Sequence, residues 1–520
     1  MTNQTETTKC FNPITGELLY EMPLIDINNF KSIVEKARVA QNKWDNIGVN
    51  ERLKYVKRIR DYILTNSDMI AKTISQDNGK NIIDSLATEV IPAAMAVTYY
   101  CKNAKKFLKE EKVSGGNIAF INKRSKIQRV PFGVVGIISP WNYPFAIPFS
   151  EIIMGLLAGN SVILKVASET QYVGKILKDC IESAKLPDGV FNYVNIPGRI
   201  AGDLFLESGI DKLFFTGSVA VGKVLMKKAS ETLTPVCLEL GGNDPMIVLE
   251  DTDLDRAVGG AIWAGFQNSG QSCGGVERIY VHEKIYDEFL SKLKVRVEKL
   301  RIGDSLSLDY DIGGMTTQNQ IKIVNEHIES ALKDGAKLFA QSQRGENNLL
   351  PAKVIIDVNH NMDLMKDETF GPVVGIMKFS SDDEAIKLAN DSYLGLTASV
   401  WSKNKNRANE IAKKIKAGVV TINDHLMSHG LAETSWGGFK QSGIGRTHGK
   451  LGFDEMTQPQ YIVNDLIGFL PKNLWWHPYS EKLYKGLSGL LQFLYGKSLG
   501  KKISGLINLL KIVPRMLERK

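Results

Sequence analysis

The stretch "FQNSGQSCGG", Phe266 to Gly275, sets one thiol, Cys273, among small and amide side chains. A thiolate is the strongest side-chain nucleophile toward a carbonyl carbon. Ser272, Gly274 and Gly275 leave room for a substrate and expose backbone N–H groups. Taken singly, a cysteine is by default a small buried hydrophobe, and Cys10, Cys101, Cys180 and Cys237 keep that reading. In "VCLELGGNDP", Glu239 lies in a short apolar strand. Burial there raises a carboxyl toward the range of a general base; a salt bridge or an exposed strand face is the bland alternative. In "GIISPWNYPF", Asn142 offers a neutral NH2 that can donate to a developing oxyanion, or else simply caps a turn. In "FFTGSVAVGK", a strand ends at Thr216 and a helix begins after Gly217, with Gly222 further along. A helix start at a strand end suits a phosphate, although the spacing is not G-x-G-x-x-G and a plain βα turn fits too.

The elements that must carry these residues alternate. Residues 26–112 read as helical, with Phe30, Ile33, Val34 and Ala37 at helical spacing behind an Asp/Asn-rich start. "NIAFINKRSKIQRVPFGVV" reads as extended and hairpin-like. From residue 133 short strands ("GVVGIIS", "SVILK", "VFNYV", "KLFFT") alternate with helices, one closing at Gly159, one over Thr170 to Ala184 and one starting near Ser218. A second alternating region over 245–425 holds "PMIVL", "RIYV", "PVVGIMKF", "TASVW" and "GVVTIN". This pattern predicts an α/β protein with two parallel-sheet domains, joined near Gly241-Gly242.

The chain of 520 residues is ordinary globular material, with 43% hydrophobic and 23% charged residues. Five scattered cysteines without C-x-x-C argue against a disulfide framework and against a metal site, and for a reducing, cytoplasmic setting. The polar N-terminus lacks a signal-like apolar region, and no run of 18 apolar residues is present, so no membrane-spanning helix is expected. The net charge of +8 is concentrated: residues 465–520 hold ten Lys or Arg against three Asp or Glu. The rest is nearly neutral, which speaks against nucleic acid as a partner.

Taken together, Phe266-x-Asn268-x-Gly270-Gln271-x-Cys273 with Arg278, Glu239-Leu240-Gly241-Gly242, Pro140-Trp141-Asn142, "FTGSVAVG", "ETFGP" and "WGGFKQSGIGR" resemble the aldehyde dehydrogenase superfamily, in family order across residues 10–465. The resemblance implies an aldehyde dehydrogenase-like fold: a Rossmann-like dinucleotide-binding domain (1–112 and 130–242), a catalytic domain (243–445) and a small β oligomerisation element (113–129 and 446–464). It implies Cys273 as nucleophile, Asn142 and the Cys273 N–H as oxyanion donors, and Glu239 as the base that activates water on a thioester. Cofactor contacts carried over are Trp141, Lys165, Gly217, Ser218, Gly222, Glu368 and Phe370. After Lys165 the segment "KVASET" puts Ser168 where many NAD-preferring members hold glutamate, with Glu169 one residue late. That leaves NADP open and, through Glu169, favours NAD. Tyr143 and Trp436 fall at positions that line the aldehyde tunnel, with Ser150 and Gln267 as smaller or polar neighbours. No arginine in these segments suits a carboxylated aldehyde, which favours a neutral one. A semialdehyde dehydrogenase of amino-acid catabolism is the alternative enzyme; a non-catalytic binding protein on this fold is the alternative class. Relatives imply a homodimer or homotetramer.

The extension 465–520 stands apart. Leu483, Leu487, Leu490 and Leu494, then Leu499, Ile503, Leu506, Leu510 and Val513, recur at helical spacing near Lys497, Lys501, Lys502, Lys511 and Arg515, behind Trp475 and Trp476. Two basic amphipathic helices fit an anionic membrane surface; packing on the enzyme or on a second subunit is the other reading.

Overall fold

Asp26 caps the first helical turn by accepting from Asn28 N–H, and the helix Phe30–Asn46 then buries Phe30, Val34 and Ala37 along the stripe their spacing predicts. The computed structural model describes residues 6–343 and 345–519. These fall into two units. One holds the described residues up to Phe107 together with Pro131–Gln458, and the other holds Leu108–Val130 with the described residues from Pro459.

The larger unit contains two sheets. In the first, six strands run in the order Gly443–Ile444, Val236–Glu239, Lys212–Thr216, Val134–Ile138, Ser161–Lys165 and Phe191–Tyr193. All pairs are parallel except the antiparallel Gly443–Ile444 edge. In the second, the order is Lys337–Gln341, Lys353–Ile356, Val373–Phe379, Val276–His282, Asp244–Val248, Thr397–Trp401 and Val419–Ile422, with an antiparallel pair only at the first edge. Both faces of this sheet are buried. Along Asp244–Val248, Met246 and Val248 join one apolar core and Ile247 the opposite one, as a pleat of period two requires. The chain passes from the first sheet to the second at Leu240–Asn243, the turn marked by Gly241-Gly242.

The expected helices are Ala146–Ala158, closed by left-handed Gly159, then Gln171–Glu182 and Val219–Thr232. The region 26–112 is helical up to Phe107, but Glu111–Val113 is already a strand. Against the expectation of no membrane-spanning helix stands one candidate, by length and composition only: the continuous helix Ile82–Phe107. Its Asp84 and Glu89 are nevertheless buried in the wall of the site described below.

In the smaller unit, Glu111–Val113, Lys123–Pro131 and Thr457–Asp465 form a three-stranded sheet. Lys123 pairs with Asp465, and Trp475 packs on Phe120. Two helices follow, Glu481–Tyr495 and Leu499–Leu510, capped by Ser480 and Ser498. They cross where Gly489 meets Gly505; a Cβ at Gly489 would lie 2.6 Å from Gly505 O. The first predicted stripe is consumed by this contact: Leu483 is buried, and Leu487, Leu490 and Leu494 are half-buried. On the second helix the exposed stripe is Leu499, Ile503, Ile507 and Leu510. Leu506, predicted to belong to it, turns inward and is half-buried, because the helix rotates to bring Gly505 onto Gly489.

Candidate active site

The C-terminal ends of the parallel strands in the first sheet open into one crevice, where α/β sheets characteristically hold ligands. Val134–Ile138 leads to Pro140, Trp141 and Asn142; Lys212–Thr216 leads to Gly217 and Ser218; Val236–Glu239 leads to Leu240 and Gly241. These residues line a cleft of about 840 Å³, counting its mouth, whose floor holds Cys273 and whose far wall holds Glu368 and Phe370. Cys273 also borders a second cleft of about 500 Å³. The thiol therefore stands where two cavities meet.

The loop before Cys273 is held in an uncommon conformation. Asn268, Ser269 and Gly270 all have positive φ, 52°, 55° and 71°. Such backbone persists only where its surroundings over-determine it. Asp84 accepts from Asn268 N–H (3.1 Å), Asn268 Nδ2 donates to Asn142 O (3.0 Å) and to Gln271 O (3.1 Å), and Gln271 Oε1 accepts from Thr316 N–H (2.9 Å). Any side chain at Gly270 would run into Gly371 O. Asn142 Nδ2 donates to Gln271 O at 3.1 Å, which ties the amide to the loop that presents Cys273.

Behind Asn142 lies a buried ion pair that the sequence reading missed. Lys80 Nζ donates to Glu89 Oε1 (2.6 Å) and to Asn142 O (2.7 Å), and sits 4.0 Å from the centre of the Tyr143 ring. The three ammonium hydrogens thus meet a carboxylate, a carbonyl and a π face. Glu89 Oε2 accepts from Phe145 N–H (2.8 Å) and Ala146 N–H (3.0 Å) at the start of Ala146–Ala158. The segment from Asn142 to Ala146 is clamped from one side by two charges.

Carboxylates surround the thiol. Both oxygens of Glu239 are buried without a hydrogen-bond partner among the described residues, and the adjacent Thr447 N–H is engaged by Trp436 O. Burial, then the charge of Glu151, hold the Glu239 carboxyl well above the usual carboxylate range. Glu368 is also raised, by burial and then Glu277, while it accepts from Gly242 N–H at 3.0 Å. A Cβ on Gly241 would collide with that carboxylate. Glu277, unnoticed in the sequence, accepts from Thr369 N–H and Phe370 N–H and so holds the Glu368–Phe370 loop, where Phe370 is left-handed at φ 53°. Burial, followed by Glu368, Asp244 and Glu239, pushes the Cys273 thiol up.

Trp141 and Phe370 face each other edge to face, 5.6 Å apart, as aromatic lips of the larger cleft. Gln320 and Ile323 join that wall without having been foreseen. Ser218 caps its own helix by accepting from Val221 N–H, and Gly222 packs on Leu240. Lys165 is buried at the end of the neighbouring strand, its charge disfavoured by burial. Lys165, half-buried Ser168, exposed Glu169 and Gly222 do not line the cleft itself. Arg278 is fully buried and donates to Asn243 O (2.9 Å) and Ala389 O (3.3 Å), bracing the turn between the sheets.

The second cleft is lined by Tyr143, Ile147, Trp263, Leu426, Met427 and Trp436, with Ala87, Thr88 and Pro92 from the helix Ile82–Phe107. Tyr143 and Trp436 thus border the same cleft as Cys273. Tyr143 OH donates to Gln267 Oε1 at 2.6 Å, whereas Ser150 borders a separate small cavity. No Lys, Arg, Asp or Glu lines this cleft among the described residues. Its one titratable imidazole, His429, packs on Trp436 and is pushed by burial down to about 4, so it is neutral at pH 7.

The family model described as the aldehyde dehydrogenase family matches residues 1–462. A 4,4'-diapolycopene aldehyde oxidase from Methylomonas sp is 39% identical over 491 residues, covering 94% of this chain and 92% of that protein. A probable succinate-semialdehyde dehydrogenase [NADP(+)] from Sinorhizobium fredii is 34% identical over 463 residues, covering 88% and 93%. A betaine aldehyde dehydrogenase from Staphylococcus aureus solved in complex with NAD+ aligns with a TM-score of 0.86 at 29% identity, over 92% of this chain and 97% of that one.

The Lys80–Glu89 clamp generates a prediction. Lys80→Met leaves a buried carboxylate unpaired and should cost about 3–5 kcal/mol of stability. The double variant Lys80→Met/Glu89→Met should recover much of that loss in thermal melting. Its kcat should nevertheless stay about ten-fold or more below wild type with KM little changed, because Asn142 has lost its brace. Recovery of kcat together with stability would show that the pair merely supports the fold.

Proposed function

This chain belongs to the aldehyde dehydrogenase family, and we propose that within it the enzyme oxidises an apolar, uncharged aldehyde to the carboxylic acid. The observation that carries this reading is the second cleft: apolar, aromatic and, among the described residues, free of basic side chains where it meets Cys273. A semialdehyde carries a carboxylate, and a buried carboxylate requires a partner that this cleft does not offer. The similarity to the Methylomonas oxidase points the same way. Its 94% coverage of 520 residues exceeds the 462 residues of the family match, so it extends into the C-terminal extension.

The chain's own residues have defined tasks. Cys273 attacks the aldehyde carbon once its proton is removed, with Glu239 as the buried base beside it. The Asn142 amide and the Cys273 N–H receive the oxyanion of the thiohemiacetal. After oxidation to the thioester, Glu239 takes a proton from water, which attacks the acyl carbon and releases the acid.

The larger cleft fits a nicotinamide dinucleotide. It offers the N-terminus of Val219–Thr232 at Gly217 and Ser218, a Gly241 close enough to Glu368 that a side chain would collide, and the pair Trp141 and Phe370. When bound, the oxidised nicotinamide supplies the hydride acceptor and a positive charge beside the carboxylates. Lys165, with Ser168 and Glu169 after it, is read as the ribose end; exposed Glu169 favours NAD, and the small Ser168 leaves room for NADP.

For the extension we read a peripheral site on an anionic bilayer, supported by the exposed stripe Leu499, Ile503, Ile507 and Leu510. Lys497, Lys501, Lys502 and Lys511 flank that stripe, and Leu499–Leu510 contains no acidic residue. A homo-oligomer is the assembly read here, supported by Val221, Val224 and Leu233 exposed on and beside one helix.

An aldehyde panel run with NAD and NADP side by side tests the reaction. Apolar aldehydes should exceed succinic semialdehyde in kcat/KM by about ten-fold or more, and the reverse order would defeat the reading. Cys273→Ala should lose about a thousand-fold or more in kcat while still binding the dinucleotide. Cys273 and Glu239 both act after losing a proton, and both are held above their ordinary values. Activity should therefore climb from about pH 6 to about pH 9, and a profile that falls over that range contradicts the assignment. For the extension, wild type should sediment with phosphatidylglycerol vesicles, and Leu499→Ser/Ile503→Ser/Ile507→Ser should not. Light scattering read alongside distinguishes a stripe that instead holds a second copy, in which case the variant changes mass and not vesicle binding.

A further inference from the structure

The apolar lining of the substrate cleft continues past its mouth. On the helix Ile82–Phe107, Thr88 and Pro92 border the cleft, and Ile91, Met95, Tyr99 and Lys102 follow at intervals of three or four. Residues so spaced share one face of a helix. Across from them the helix Gly48–Asn78 presents Arg60 and Leu64. Ala432 and Glu433 close a third side, just after His429 and Gly430, which border the cleft. The result is a trough of about 1210 Å³, counting its open face. A small cavity bordered also by Ala93 and Ala96 shares Pro92 and Gly430 with the cleft and Ala432 with the trough.

The trough floor is apolar and open. Leu64, Ile91 and Met95 are 64%, 47% and 47% exposed, each beside the next. A single exposed leucine calls for no explanation, but a joined apolar surface does. Here the surface is bordered by the helix and the loop that also border the cavity presenting Cys273: Ile91 lies beside Pro92 in the chain, and Ala432 two residues after Gly430. Arg60, Lys102 and Glu433 are the charged residues among those that line it.

We propose that this trough is the tail subsite of a long-chain hydrocarbon aldehyde: the carbonyl end reaches Cys273 through the cleft, and the remote part of the chain lies over Ile91, Met95 and Leu64. This rests on the apolar-aldehyde reading above and adds chain length to it. The contribution follows from area. A fully buried methylene is worth about four-fold in binding, and one lying in a trough open on one side about two-fold. The helix rises about 10 Å from Thr88 to Met95, so only a chain that outgrows the inner cleft reaches the floor. Short aldehydes end before it.

The test compares kcat/KM for butanal, octanal and hexadecanal, each kept below the concentration at which it aggregates. The wild type is set against the double variant Ile91→Ser/Met95→Ser and against Leu64→Glu, all at exposed positions where folding is little affected. The expected result is a wild type that favours hexadecanal, and variants that lose about ten-fold or more on hexadecanal while staying within about two-fold on butanal. A wild type that favours hexadecanal, with variants keeping the same ratio between the two aldehydes, overturns the trough and leaves the apolar-aldehyde reading in place. Equal losses on all three substrates also overturn it. A wild type with no preference for apolar aldehydes over succinic semialdehyde removes the reading on which the trough rests.

Discussion

The geometry around Asn142 depends on a buried charge pair. Lys80 and Glu89 lie fully buried, 2.6 Å apart, on one side of the segment that carries Asn142. Burial of both ions is unfavourable, and their attraction offsets it only because every remaining hydrogen and lone pair finds a partner. Those partners are Asn142 O, the Tyr143 ring, and the Phe145 and Ala146 N–H groups. The polar interior is thus arranged to fix one short turn. On it ride Asn142 and, through Tyr143, one wall of the smaller cleft at Cys273, and from it the Ala146–Ala158 helix begins.

The cysteine loop is bound into the same network. Asn142 O accepts from Lys80 and from Asn268, and Asn142 Nδ2 donates to Gln271 O. The positive-φ conformation of Asn268 and Ser269 is therefore supported by the groups that hold Asn142. A shift in either segment would be felt in the other. The spacing between Asn142 and the Cys273 loop is set by backbone and buried amides rather than by flexible surface side chains. Asp84 and Glu89 both come from the helix Ile82–Phe107, whose apolar composition reflects its place in this wall.

The motifs were legible because they are local. "SVILK", "KLFFT" and "PMIVL" are short buried strands whose flanking glycines end them, and the residues after each strand fall together once parallel pairing is assumed. Cys273, Glu239, Asn142, Glu368 and Phe370 accordingly meet around one cleft. Lys80, Glu89 and Glu277 escaped notice because each acts across a long sequence separation: Lys80 reaches Asn142, 62 positions on, and Glu277 reaches Thr369, 92 positions on. One signal was available. Asp84 and Glu89 interrupt an otherwise apolar run, "IIDSLATEVIPAAMAV", and acids so placed need partners. The orientation of the last helix was not legible, because its apolar residues wrap more than one face and the Gly489–Gly505 contact selects which is turned inward.

The two cavities that meet at Cys273 differ in kind, and the difference explains how one thiol serves both. On the side of the larger cleft stand Glu239 and Glu368, with Asp244 and Glu277 behind them. Their pKa values are raised, Asp244 to about 8 and Glu277 to about 7, chiefly because burial penalises the charged form. On the other side the wall is aromatic and aliphatic, with a neutral histidine. In this setting the thiol is held protonated, and a protonated thiol is a poor nucleophile and resists oxidation. The carboxylate side suits a ligand that brings positive charge, and the apolar side suits a ligand that brings none. Cys273 lies on the boundary, so the electrostatics that restrain the lone thiol also define what each cavity can accept.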